Sequence, residues 1–403
     1  MERVTKIKNK NFLMISILSI SLLTVMAGAA VAPALNVIRE YFKDSNQALV
    51  QMIISVPAIF IVITNGFFSR LCRKFGAKTL VVAGLLLYTI GGCAAGLFDN
   101  MAMILVMRAL VGVGVGIIMP LSTGLLSFYF PPEMQDRLMG YSSAMNQMGG
   151  VIATLLSGVL AQISWRLSFM VYILGLISIV LCVLFLPNDR INQSEDTKEG
   201  NKVSLDIKNQ DGNIIKVFKE NYIYIVSMFL LMTVFFIYPA NFAIETVKSG
   251  TAAAEYIAVI MAGADFVAFF GGLLFVYMKK LFGAKTRFLA PAVFLAGYIF
   301  LIFSNSAAGI IAGSMFIGFA NGAGIPFIIF EASVKAGRAA ATTVMPLISA
   351  ALYLAQFLCP LMISAVLGIF GSDISHLPYC FAAVLAALLC IWSVRMKVSA
   401  ATV

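Results

Sequence analysis

The chain has 403 residues, 61% hydrophobic and 11% charged, with a mean hydropathy of +0.97. That balance lies far from the composition of water-soluble domains and calls for lipid as solvent. A net charge of +10 would suggest nucleic acid in a soluble protein, but in so apolar a chain it reads as charge spread over short loops between membrane spans.

Twelve runs of about 20 mostly apolar residues, the length that crosses a hydrocarbon core, begin near residues 12, 50, 79, 101, 138, 168, 221, 254, 288, 308, 341 and 379. They are Gly-rich and do not alternate, so helices are expected rather than barrel strands. The first run, Phe12 to Leu35, follows Lys6, Lys8 and Lys10 as a secretory leader would. It is long enough to span, and Pro33 follows the small-residue stretch Ala27 to Ala32, so it is expected to be kept.

After the second run comes Phe75-Gly76-Ala77-Lys78-Thr79, which returns letter for letter as Phe282-Gly283-Ala284-Lys285-Thr286, 207 residues on. Both copies lie between apolar runs among basic residues. The chain therefore reads as two related halves, 1–187 and 221–403, of six spans each, joined by a polar linker, 188–220. In the linker Ile214, Ile215, Val217 and Phe218 alternate with Lys216 and Lys219. That pattern suits a short helix on the inner membrane surface or a disordered tether.

With the N-terminus inside, all but five of the 28 Lys and Arg residues fall in cytoplasmic loops and tails, the five being Arg39, Lys43, Arg108, Arg166 and Lys248. Both termini are thus expected in the cytoplasm, in a multi-pass protein of the plasma membrane.

The fourth run places Arg108, Gly112, Gly116 and Pro120 at four-residue spacing, on one helical face. The tenth repeats Gly318, Gly322 and Pro326, with Ser314 where the Arg stands. Glycines so spaced let helices approach closely. A guanidinium inside a span needs water, a partner or substrate, which makes Arg108 a functional candidate. Asp265, halfway along the eighth run, is the matching acid: a buried carboxylate there is a proton carrier, or else an ion-pair partner of Arg108 or a protonated packing residue. Glu245 and Glu331, at span ends, read as surface groups. Asn146, Gln147, Tyr238, Asn241, Asn321, Tyr353 and Gln356 are uncharged polar residues near mid-span, each a substrate contact or an interhelical hydrogen bond. The six cysteines show no CxxC spacing and read as apolar fillers, and His376 alone builds neither a metal site nor a triad. No nucleophile, metal cluster or phosphate-cradling loop stands out, so neither an enzyme nor a cofactor is expected.

Three segments resemble the major facilitator superfamily. The stretch Ser69 to Lys78 is similar to its loop pattern G-x-L-x-D-R-x-G-R-K, with Leu71, Lys74, Gly76 and Lys78 at matching places. Arg73 stands where the family has its acid, and Lys280 stands there in the second copy, beside Gly283 and Lys285. Arg108, Gly112 and Gly116 match R-x-x-x-G-x-x-x-G. In the fifth run Gly149, Gly150 and Gly158 survive from the drug and proton antiporter pattern, whose Gly-Pro is here Ala153-Thr154, and Trp165-Arg166 with Phe169 resembles W-R-x-x-F. The resemblance implies a monomer of twelve transmembrane helices in two pseudo-symmetric six-helix bundles around a central cavity. It implies a gating and packing role for Arg73, Lys74, Gly76, Lys78 and the span glycines and prolines, and a proton-coupling role for Arg108. The expected function is proton-coupled alternating-access transport of a small organic solute, most simply drug or metabolite export. Uptake of an organic acid, and a lipid flippase or sensor on the same fold, are the alternatives.

Overall fold

The computed structural model describes residues 10–188, 210–304, 306–371, 376–396 and 398. Among the described residues regular structure is helical: α1 (Lys10–Ala29), α2 (Leu35–Tyr41), α3 (Gln47–Lys74), α4 (Ala77–Ala94), α5 (Met101–Tyr129), α6 (Pro132–Ile163), α7 (Trp165–Ser168), α8 (Gly175–Phe185), α9 (Gln210–Ser249), α10 (Ala254–Phe282), α11 (Leu289–Phe303), α12 (Ala307–Phe370) and α13 (Leu377–Ser393). Among the described residues eleven segments are long and apolar enough to cross a membrane, and the 17-residue apolar helix Leu377–Ser393 follows them. The first segment is α1 and α2 bent at a 3-10 turn holding Pro33, since a proline cannot donate to the preceding turn. The sixth is α7, a 3-10 stretch Phe169–Leu174, and α8.

Two boundaries differ from the expectation. The segment around Ile214 to Lys219 is not a separate surface helix, because helical backbone runs unbroken from Gln210 into the seventh span as α9, 40 residues long. The rest of the linker, 189–209, lies outside the described residues. Second, α12 carries helical backbone through 64 residues, about 96 Å at 1.5 Å per residue. A bilayer core is about 30 Å thick, so α12 supplies two spans, Ala307–Lys335 and Val344–Phe370.

The chain divides into two compact units, Met1–Asp196 with Ala253–Ala262, and Thr197–Ala252 with Gly263–Val403. Within unit 1, α5 packs against α3 through its glycines: a Cβ on Gly112 would stand 2.4 Å from the Pro57 carbonyl oxygen, and one on Gly116 2.7 Å from Thr64 Cβ. Within unit 2, a Cβ on Gly318 would meet the Ala264 carbonyl oxygen at 2.1 Å, and one on Gly322 that of Ala268 at 1.9 Å. Ala264 stands 207 residues after Pro57, so the duplication reaches down to individual packing contacts.

The repeated loop shows the same economy. Gly283 has φ 51°, a left-handed turn that residues with a Cβ resist. Gly76 has an ordinary φ of −71°, and there the need for glycine is room, since a Cβ would lie 2.4 Å from Asn188 Oδ1. Lys78 donates to the Val183 carbonyl at 2.6 Å and Arg287 to that of Met396 at 2.9 Å. Each cation thus closes carbonyls at the end of its unit's last span, where the helix dipole favours positive charge. Lys74 and Lys285 are exposed; the Arg73 side chain lies outside the described residues.

Candidate functional site

Arg108 is fully buried in α5. Its Nε donates to the Ile53 carbonyl of α3 at 2.7 Å, one terminal nitrogen donates to the Tyr172 hydroxyl at 2.5 Å, and the other donates to the Ala27 carbonyl of α1. Tyr172 in turn donates to the same Ala27 carbonyl at 2.8 Å, and its ring stacks edge-on with Tyr88 at 5.2 Å between centroids. Carbonyls inside helices keep a second lone pair for such bonds. All three nitrogens of the guanidinium thus bond within unit 1, pinning α1, α3 and the sixth span to the fourth. Pro120 lies inside α5 and Pro326 inside α12, each three turns beyond Arg108 or Ser314.

Unit 2 repeats the scaffold without the charge. Counting 206 or 207 residues on, Ser314 answers to Arg108, Val234 to Ala27 and Tyr379 to Tyr172. The Val234 carbonyl takes its bond from Tyr298 of α11. Removing the guanidinium and supplying Val234 from elsewhere leaves buried hydroxyls behind. The Tyr379 hydroxyl makes no hydrogen bond among the described residues. The Tyr238 and Ser314 hydroxyls face each other, and Asp265 of α10 is half-buried in the same unit.

The remaining polar residues divide between the units. Asn146 accepts from Thr24 at 2.6 Å, an interhelical bond between α6 and α1, while Gln147 is half-buried beside it in sequence. Asn241 is fully buried and donates to the Ile237 carbonyl one turn back, at 2.9 Å. Asn321, Tyr353 and Gln356 are half-buried along α12. Tyr238, Asn241, Asp265, Asn321, Tyr353 and Gln356 thus belong to unit 2, and Arg108, Asn146 and Gln147 to unit 1.

One ion pair and one acid–histidine contact went unforeseen, because both acids read as surface groups. Lys279 of α10 and Glu331 of α12 form a buried ion pair at 2.7 Å, with side chains only 3% and 1% exposed, and the ammonium sits 3.7 Å above the Phe330 ring. Glu245, near the end of α9, lies 3.6 Å from His376 Nδ1, and His376 is stacked on Tyr379 with ring planes 9° apart. The spacing of Lys279 and Glu331 in the sequence carries no helical signal, as they come from different helices. His376, with φ 57°, caps α13. The six cysteines are free, and no group of three metal-binding side chains occurs among the described residues.

Two related bundles of long apolar helices are the architecture of a multi-pass membrane protein. The family model of the Major Facilitator Superfamily matches residues 17–360, and the chain belongs to that family. Curated relatives include Multidrug resistance protein 3 of Bacillus subtilis, 23% identical over 62% of this chain and 48% of that protein. The multidrug efflux pump SdrM of Staphylococcus aureus is 27% identical over 42% of this chain and 38% of its own length. The chain thus matches less than half the length of these relatives. Among solved structures, the nucleoside transporter NupG superposes with a TM-score of 0.76 at 12% identity, covering 95% of this chain and 99% of that one. A bacterial homologue of the human lysosomal transporter Spinster gives 0.75 at 14% identity, with 95% and 96% covered. At those identities the likeness is one of fold.

Proposed function

We propose that this transporter moves a small organic solute by alternating access and couples the movement to protons through Asp265. The observation that carries the reading is the position of Asp265: an acid in the middle of a span, in a unit whose Arg108 counterpart is a serine. A carboxylate inside a span is costly unless it is put to use, and binding and releasing a proton is such a use. In this reading Arg108 serves as the internal brace of unit 1. Export is favoured over uptake because curated relatives carry the names of multidrug efflux proteins, and because the span-5 glycines and the Trp165-Arg166 segment persist. The half-buried polar side chains Gln147, Asn321, Tyr353 and Gln356 are the substrate contacts in this reading, together with Asn146, Tyr238 and Asn241 as their supports. Both termini face the cytoplasm of a plasma-membrane protein, by the distribution of Lys and Arg, and the monomer is the working unit. The domain division follows the halves 1–187 and 221–403.

The test is proton movement in proteoliposomes that hold a pH gradient and trapped pH dye, on addition of a panel of lipophilic cations and organic acids. A compound that dissipates the gradient with the wild type and not with Asp265→Asn supports the reading, and the direction of solute movement distinguishes export from uptake. Equal responses from both proteins would discard Asp265 as the coupling site.

A further inference from the structure

We infer that unit 2 binds the headgroup of an anionic phospholipid at the end of its last span, through Arg395 and Lys285 beside the Trp392 ring. The site concerns the membrane around the protein and is independent of the substrate and of proton coupling. A helix C-terminus carries about half a negative charge, so one cation is enough to answer it. In unit 1 that cation is Lys78, whose ammonium donates to the Val183 carbonyl. In unit 2 the task falls to Arg287, which donates to the carbonyls of Val394 at 3.3 Å and Met396 at 2.9 Å, on either side of Arg395. Lys285, the counterpart of Lys78 207 residues on, is thereby left over. It is exposed on the 3-10 turn Gly283–Phe288, and Arg395 is exposed just beyond α13. Neither pairs with a carboxylate among the described residues. The unit 1 counterparts of Arg287 and Arg395 are Leu80 and Asn188. At these three positions unit 2 has three cations and unit 1 has one.

The bias of short loops toward Lys and Arg accounts for cations near a membrane, but not for what surrounds these. The Arg395 guanidinium lies 5.1 Å from the centre of the Trp392 ring, and Trp392 donates its indole N–H to the Ser227 hydroxyl at 3.1 Å. Tyr222, exposed on α9, sets its ring edge-on to that of Trp392 at 6.5 Å. Tryptophan and tyrosine so placed mark the depth of lipid headgroups. Val384, Leu388, Ile391 and Arg395 follow at intervals of four, three and four residues, and the three apolar side chains form one exposed stripe along α13 that leads to the arginine. A phospholipid matches that arrangement, with an acyl chain along the stripe and a phosphate at the cations, which donate charge-assisted bonds to its oxygens. Cations without a carboxylate favour a headgroup of net negative charge over a zwitterionic one. In unit 1 the exposed Ile177 and Leu184 lead instead to the neutral Asn188. Apolar surface for acyl chains is thus common to both units, and the charged end belongs to unit 2.

The experiment uses the full chain with Trp165→Phe, which leaves Trp392 as its one tryptophan, in phosphatidylcholine vesicles that carry a small fraction of brominated lipid. Bromine quenches the fluorescence of an indole in contact with it. Brominated phosphatidylglycerol is expected to quench Trp392 at a mole fraction lower by about fivefold or more than brominated phosphatidylcholine, about fivefold being the share of one cation. Lys285→Gln with Arg395→Gln, both exposed positions, is expected to bring the two lipids level. Counting bound lipids on the unaltered chain by native mass spectrometry is expected to give the same preference without the change at Trp165. Equal quenching and equal counts for the two lipids, or a preference that the double variant keeps, would overturn the site. If excess inorganic phosphate removes the preference, the cations serve a soluble phosphate anion and the lipid is overturned as the ligand.

Discussion

Arg108 shows how a charge inside a span can be held without a carboxylate. Its three nitrogens reach two helix carbonyls and one tyrosine, each bond charge-assisted and so worth more than a neutral one. Tyr172→Phe removes an acceptor from the guanidinium and a donor from Ala27, and is expected to lower stability by about 1–3 kcal/mol, read as a drop in Tm in detergent. An unchanged Tm would mean that the brace is redundant. At an exposed end of unit 1, Asp99 accepts from the Tyr41 hydroxyl at 2.6 Å and pairs with Arg166, which also lies 4.6 Å from the Trp165 ring centre. The Tyr41 hydroxyl and then the Arg166 guanidinium hold the Asp99 carboxyl below the usual carboxylate value. A depressed carboxylate contributes stability above its unfolded pKa and loses it as pH falls through the lower folded value. The clamp is therefore whole at neutral pH and opens in acid, and Asp99→Asn should flatten the acid limb of the Tm profile while leaving its shape above neutrality alone. These residue contacts are poorly legible beforehand: Ala27 and Ile53 act through main-chain oxygens, which leave no mark on side-chain pattern.

At the scale of elements, helix existence was legible because burial in lipid demands long apolar runs, whereas helix ends were not. The α9 helix begins in polar sequence at Gln210 and α12 stays helical past its span end, since backbone bonding does not need apolar side chains to continue. Glycine spacing was legible as close packing and the structure names the partners. Gly322→Val drives a side chain into the Ala268 carbonyl and is expected to cost about 1–3 kcal/mol or more, whereas Gly124→Ala enters open space and should be neutral or stabilising by a fraction of a kcal/mol. Thermal unfolding of the two variants side by side checks the contrast. Glu331 shows the opposite case, an acid whose position near a span end suggested water and whose actual partner, Lys279, comes from another helix. Lys279→Met or Glu331→Gln alone leaves its partner's charge buried, for a loss of about 3–5 kcal/mol, while replacing both should recover most of it. A double variant as unstable as either single one would count against the pair as the main cause.

For the molecule as a whole, the duplicated Phe-Gly-Ala-Lys-Thr loop was enough to foresee two related bundles, and the family match agrees. What could not be foreseen was how unequally the copies are finished. Serine stands in unit 2 at the counterpart of Arg108, and Ser314 is fully buried. Ser314→Arg therefore forces a guanidinium into a closed site and is expected to lower Tm in detergent through overpacking. An unchanged or raised Tm would show that the site has room for the charge.

The Arg108 brace also bears on how the protein is made. A guanidinium inside a span resists leaving the translocon, by as much as about 2.5–3.5 kcal/mol at a helix centre. Synthesis runs from the N-terminus, so α1 and α3, which hold the Ala27 and Ile53 carbonyls, are already in the membrane when α5 emerges. Two of the three acceptors stand ready before the arginine arrives, and Tyr172 completes the set two spans later. The order of spans in the chain is thus the order in which a costly charge finds its hosts.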